Sequence, residues 1–214
     1  MGIRKNPLGR KTFPRPILSI IMSFSPGISR PFERIMIFVD GGYVRKSFYD
    51  LFGDDIIDFG RMKSSLIDLY NQVPENPFRA NLIRAYYYDA IVDKKEKEYD
   101  DQRRYFDRIA SLFHYTVRLG EAVKSKGNTI RQKGVDVLMA VDALTMAFRN
   151  YYDSGIFFLA DRDFVHLIEA VKWVGKKTFL VYWRSVAFEL SKLCDFSIGI
   201  SEEQMEFWHG EHVS

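Results

Sequence analysis

Little in this chain of 214 residues is reactive, and nothing in it is long enough to span a membrane. A single cysteine, Cys194, excludes an intramolecular disulfide and any paired-cysteine metal site. Such a chain fits a reducing compartment, and a cytoplasmic protein is expected. Cys194 lies near a final strand, where a buried structural thiol is the expectation. No apolar run reaches the length of a bilayer-spanning helix, so no membrane partner is expected. The four histidines (His114, His166, His209 and His212) make no HExxH pair. There is no GxGxxG, no P-loop and no Gly-x-Ser-x-Gly, which removes the common dinucleotide, nucleoside-triphosphate and serine-hydrolase signatures. Internal repeats and low-complexity tracts are absent. Charge is nearly balanced at a net +3, so any affinity for a polyanion must come from local placement of cations.

With 47% hydrophobic residues, the chain suffices for one domain with a sizeable core. Residues 1–33 differ in texture. Arg4, Lys5, Arg10 and Lys11 precede the apolar stretch Ile17 to Met22, and Ser, Pro and Gly follow through Pro31. That apolar stretch is short for a signal peptide, and no small-residue cleavage site follows it. The segment reads as a peripheral basic extension, either flexible or an upstream start with Met22 as an alternative first residue. Residues 34–200 read as the folded domain. Residues 201–214 form a polar tail, in which Phe207 and Trp208 either clamp the tail to the body or meet a partner, a second copy of the chain included.

Within 34–200, short apolar runs alternate with helical patterns, which predicts an α/β fold with a mostly parallel sheet. Ile156 to Leu159 is a wholly apolar run, as expected of a strand covered on both faces. It leads into Asp161 and Asp163. Arg34 to Val39 is a second such strand and ends in Asp40-Gly41-Gly42, whose glycines would let backbone approach a ligand closely. Other strands are expected at 80–90, 116–119, 178–182 and 196–200, and a long charged helix at 93–114. Gly134 to Asn150 reads as a helix with Val137, Leu138, Val141, Leu144, Thr145 and Phe148 as its buried stripe. Asp136 lies in its first turn, where the helix dipole favours a carboxylate, and Asp142 lies two turns further on.

Ligands bind at the carboxyl ends of the strands in open α/β sheets. Capping the next helix requires one aspartate, so the pair Asp161 and Asp163 asks for a second explanation. A helix that feeds a parallel strand runs antiparallel to it, which brings Asp136 to the same sheet edge as Asp40 and Asp161. Hard carboxylate oxygens grouped in this way suit Mg²⁺ or Mn²⁺. Nearby, the stretch 124–133 holds Lys124, Lys126, Arg131 and Lys133 with no acid. A loop of one charge sign beside a carboxylate cluster suits a polyanion, although a merely solvated loop has the same composition.

Three blocks, in order, resemble a known family: IFVDGGY at 37–43, KGVDVLMAVDAL at 133–144, and LADRDFVHLIEAVKWVGKK at 159–177. Together they resemble the NYN domain of the LabA-like group, within the PIN-like nuclease superfamily. The nineteen residues from Asp142 to Asp161 also resemble the PIN spacing between a helical aspartate and the central-strand block. The resemblance implies a Rossmann-like three-layer α/β/α sandwich and a metal-dependent endoribonuclease site. It places Asp40, Asp142, Asp161 and Asp163 in the acidic set, with Asp136 as an added family acid, on one or two Mg²⁺ or Mn²⁺ ions. RNA would then be held at its backbone by Lys124, Lys126, Arg131, Lys133 and Arg162. Tyr43 stands where many members have asparagine, and Leu159-Ala160 replaces the usual serine-glycine. That second departure favours a rival expectation, a module that binds RNA or protein without turnover. Hydrolysis of nucleotides or other phosphate esters would use the same acids.

Overall fold

The computed structural model describes residues 30–74, 76–124 and 130–210. The chain divides into Met1–Arg30 and Pro31–Ser214, and the architecture below belongs to the second unit. Of the sequence expectations, the extension over residues 1–29, Lys126 and His212 lie outside the described residues.

Among the described residues, seven strands form one sheet: β1 (Phe32–Asp40), β2 (Arg79–Val92), β3 (Tyr115–Lys124), β4 (Ile130–Lys133), β5 (Ser154–Phe158), β6 (Lys177–Trp183) and β7 (Phe196–Ile200). Their order is β4-β3-β2-β1-β5-β6-β7. All neighbours are parallel except β4, which pairs antiparallel with β3. The helices among the described residues are α1 (Gly41–Phe52), α2 (Phe59–Asn71), α3 (Tyr99–Ser111), α4 (Val135–Phe148), α5 (Val165–Trp173), α6 (Phe188–Leu193) and α7 (Glu202–Trp208), with a 3-10 turn at Arg162–Phe164 before α5.

Strand alternation sorts the core into two layers. Ile35, Ile37 and Val39 of β1 face α1, α2, α3 and α7, and Trp208 lies fully buried among them. Met36 and Phe38 face α4, α5 and α6. Every residue of β5 is buried, as its apolar run requires. Crossovers from β1 to β3 run over one face and those from β5 to β7 over the other, so the direction in which strands are added reverses between the parallel strands β1 and β5. This is the three-layer, mostly parallel α/β sandwich expected from the sequence, and the β1/β5 reversal is the switch point at which such sheets open a crevice. At the opposite edge Arg34 locks the seam between the two halves. Its guanidinium donates to both oxygens of Asp153 at 3.0 and 2.7 Å and to the carbonyl of Asn150 at 2.7 Å.

The structure departs from the sequence expectations in four elements. The helix expected at 93–114 spans only Tyr99–Ser111; before it, Asp93 caps a turn by accepting from the Lys95 amide. The stretch expected as a basic loop carries β4, whose backbone pairs with Glu121–Lys124. The polar tail carries α7, which opens with a Ser201–Gln204 capping box and packs Met205 and Trp208 into the core. Finally, α4 buries Val135, Met139, Ala143 and Ala147, and the expected stripe at Val137, Val141 and Phe148 faces out. That helix is apolar nearly all round, so periodicity alone does not choose its buried side.

Candidate active site

Asp40, the last residue of β1, is also the N-cap of α1. Its Oδ1 accepts from the Tyr43 amide at 3.0 Å, which leaves Oδ2 uncommitted to the cap. The two glycines behind it make room for protein, not for open space. A Cβ on Gly41 would stand 2.4 Å from the Tyr87 ring, and one on Gly42 would stand 2.4 Å from the Gln132 amide. Across the switch point, Asp161 caps the 3-10 turn by accepting from the Asp163 amide at 3.1 Å. Asp136 lies in the first turn of α4, with Asp161 and Asp163 close enough to act on its charge.

Electrostatics tie these four carboxylates together. Burial lifts the Asp40 carboxyl from 3.8 to about 6; the Tyr43 amide opposes the rise, and Asp136, Asp89 and Asp161 add to it. Burial also raises Asp136, with Asp161 and Asp163 adding repulsion. Among the described residues, none of the four has a basic side chain within ion-pair distance. Nor do any three His, Cys, Asp or Glu among the described residues form a group placed to hold a metal ion.

Asp142 stands apart. It lies roughly 9 Å further down α4 than Asp136. Arg118 of β3 grips it, Nε to Oδ2 at 2.8 Å and Nη2 to Oδ1 at 3.2 Å, and Tyr88 donates to it at 3.4 Å. Tyr43 reaches over the sheet edge to β6, donating to the Trp183 carbonyl at 2.9 Å and accepting from its amide at 2.8 Å. Leu159 is fully buried among α4 and α5 side chains, so it fills core and not the crevice.

The cations are spread around the edge. Lys124 ends β3, Arg131 lies within β4, and Lys133 is exposed at the end of β4. Arg162 is exposed in the 3-10 turn, 3.3 Å from Glu189.

Sequence reasoning passed over Asp89, a fully buried carboxylate at the carboxyl end of β2. Arg45 of α1 stands 2.9 Å from it, Gln132 of β4 donates to it at 3.1 Å, and the Ala90 amide donates at 2.7 Å. Burial nonetheless raises its pKa. The available signal was its position: a lone acid just after the aromatic run Tyr86 to Tyr88, at the same strand edge as Asp40.

The four uncompensated carboxylates give oxygen donors of the kind a hard divalent cation takes, at the crevice where this fold binds ligands. No curated protein sequence matches this chain. Among solved structures, a protein of unknown function from Vibrio parahaemolyticus is similar, with a TM-score of 0.56 at 18% identity, covering 82% of this chain and 98% of that one. That likeness concerns the fold alone. The family model for the NYN domain matches residues 34–201, most of the chain and all three blocks noted in its sequence. The chain belongs to the NYN domain family.

Proposed function

We propose that this protein is a divalent-cation-dependent endoribonuclease whose site is formed by Asp40, Asp136, Asp161 and Asp163. The observation that carries this reading is the grouping of Asp40, Asp136, Asp161 and Asp163 at the β1/β5 switch point without a basic partner among the described residues, with burial raising Asp40 and Asp136 and neighbouring acids adding to it. The caps at Asp40 and Asp161 each use one carboxylate, and the repulsion among the grouped acids is a cost that a cation relieves. Mg²⁺ commonly takes one or two carboxylates and completes its shell with water and substrate phosphate, so an open set suits it better than a closed cage would. When bound, Mg²⁺ or Mn²⁺ supplies charge to the scissile phosphate and acidifies a coordinated water.

The protein's own contributions follow from its caps and charges. Asp40 and Asp161 are each oriented by a backbone amide, so each presents its remaining oxygen from a fixed position. With no cation bound, the Asp40 carboxyl keeps its proton up to about pH 6, so below that pH cation binding must displace a proton. Asp142 holds Arg118 and serves the fold; we do not place it in the cation site. Lys133 and Arg162, with Lys124, Lys126 and Arg131, would contact RNA phosphates without reading sequence. The Arg162–Glu189 pair is exposed and weak, so Arg162 can exchange Glu189 for a phosphate. The sequence argument for an inactive module is the Leu159-Ala160 pair, of which Leu159 is fully buried and Ala160 half-buried. Burial removes Leu159 from the crevice, which leaves that rival resting on Ala160 alone.

The test is cleavage of a labelled single-stranded RNA across Mg²⁺ and Mn²⁺ titrations, with Asp161→Asn and Asp142→Asn prepared identically. Asparagine at 161 keeps the cap and removes the charge. The expected result is cation-dependent cleavage that falls at least 100-fold in Asp161→Asn, on the order set by losing one strong electrostatic contribution, while Asp142→Asn stays active. Inert wild-type protein that still binds the cation would favour the non-catalytic module.

A further inference from the structure

The outer face of the α4–α5 layer carries an apolar surface that nothing described in the chain covers. On α4, Val137 is 66% exposed, Val141 56% and Phe148 70%. Leu144 between them is half-buried, and Tyr151 is exposed just past the helix end. On the outer side of the last turn of α5, Trp173 is 86% exposed. The ends of the two helices meet, because Lys176 donates to the Asn150 side chain. Monomeric proteins rarely leave a contiguous patch of this kind in water.

We propose that this face pairs with the same face of a second copy of the chain, related by a two-fold axis across α4. Three observations favour that occupant. First, Val137, Val141, Leu144 and Phe148 recur at spacings of four, three and four, which is a helix-pairing seam. An antiparallel pair sets Phe148 of each copy opposite Val137 of the other, and Val141 opposite Leu144. Large then meets small, whereas a parallel pair would set like against like. Second, the seam has no charge to select a different partner or repel a like one. Between Asp136 and Arg149 the only charged residue of α4 is Asp142, which is turned to Arg118. Ala140 and Thr145 flank the seam and permit close approach. Third, the area is adequate. Aromatic side chains offer about 150–250 Å² each. Phe148, Tyr151 and Trp173 with the aliphatic residues of α4 therefore present roughly 600 Å², close to the ~800 Å² per partner of a stable interface.

The experiment is mass determination by light scattering on the full chain over a range of micromolar concentrations. The expected mass is about 50 kDa, twice the 25.1 kDa of one chain. Val141→Glu combined with Phe148→Glu should give a single-chain mass with an unchanged far-ultraviolet spectrum. Trp173→Ser, at a position with no place in the core, should weaken dimerisation at least tenfold. Phe113→Glu, equally exposed but beyond α3, should leave the mass at 50 kDa. A wild type that stays at single-chain mass overturns the proposal, whatever else covers the patch. So does a Trp173→Ser variant that dimerises as tightly as wild type.

Discussion

Asp40 caps α1 with one oxygen while its charge, half-buried, faces three other carboxylates. Its pKa near 6 in the fold exceeds the ordinary 3.8, so the folded state binds its proton more tightly than the unfolded chain does. The sign follows directly. Below about pH 4 both states are protonated and the group is neutral to stability. Stability then falls as pH rises through 6, by up to about 3 kcal/mol for a shift of this size. Asp40→Asn retains a cap and removes the charge. In EDTA at pH 7.5 it should therefore be more stable than wild type by about 1–3 kcal/mol, and equal to it near pH 4. Added Mg²⁺ should narrow the gap by stabilising wild type more. Denaturant titrations at the two pH values check this, and equal stability at pH 7.5 would remove Asp40 from the strained set. Asp40, Asp161 and Asp163 were legible because each follows an apolar strand. Asp89 was not, since its partners Arg45 and Gln132 come from distant segments and no local pattern announces a buried ion pair.

At the level of elements, legibility tracked how one-sided each apolar pattern was. Strand β5 is buried on both sides, and its run had one reading. Helix α4 offered two apolar stripes, and the sheet took the one with Ala143 and Ala147, whose small side chains allow close packing. The selection depends on tertiary fit, which the sequence does not display. Helix α7 was obscured for the opposite reason, because its two buried residues, Met205 and Trp208, sit in a mostly polar segment beside an exposed Phe207. Trp208 is buried against Phe158 of β5, with ring centroids 5.9 Å apart, so α7 closes the core over the central strand. Trp208→Ala should cost about 3–5 kcal/mol of stability, the usual range for a buried large aromatic. Phe207→Ala, half-exposed one position earlier, should stay within about 1 kcal/mol. Thermal unfolding of both variants checks the contrast, and similar losses would mean that α7 does not clamp the core through Trp208.

Across the whole molecule, the mostly parallel sheet was legible because apolar strands alternate with helices and acids mark the strands' carboxyl ends, whereas the β1/β5 reversal depends on a strand order that no local pattern carries. The antiparallel edge strand β4 was hidden inside a basic stretch whose charges suggested a loop. Its discovery changes how RNA would be held: β4 is anchored through Gln132 to Asp89 beside the carboxylates, and Lys133 closes that strand at the same sheet edge. A net charge of +3 gives little long-range attraction, so affinity must come from these local cations. Each phosphate neutralised on a single strand contributes a slope of about −0.7 to the dependence of log affinity on log salt. With five candidate cations the slope should not exceed about −3.5 in magnitude. It should weaken by about 0.7 in Lys133→Gln, with no change in preference among RNA sequences. Fluorescence anisotropy with the Asp161→Asn background, which prevents cleavage, measures both slopes in KCl at constant Mg²⁺. An unchanged slope in Lys133→Gln would move the RNA path off β4 and toward Arg162, on the other side of the switch point.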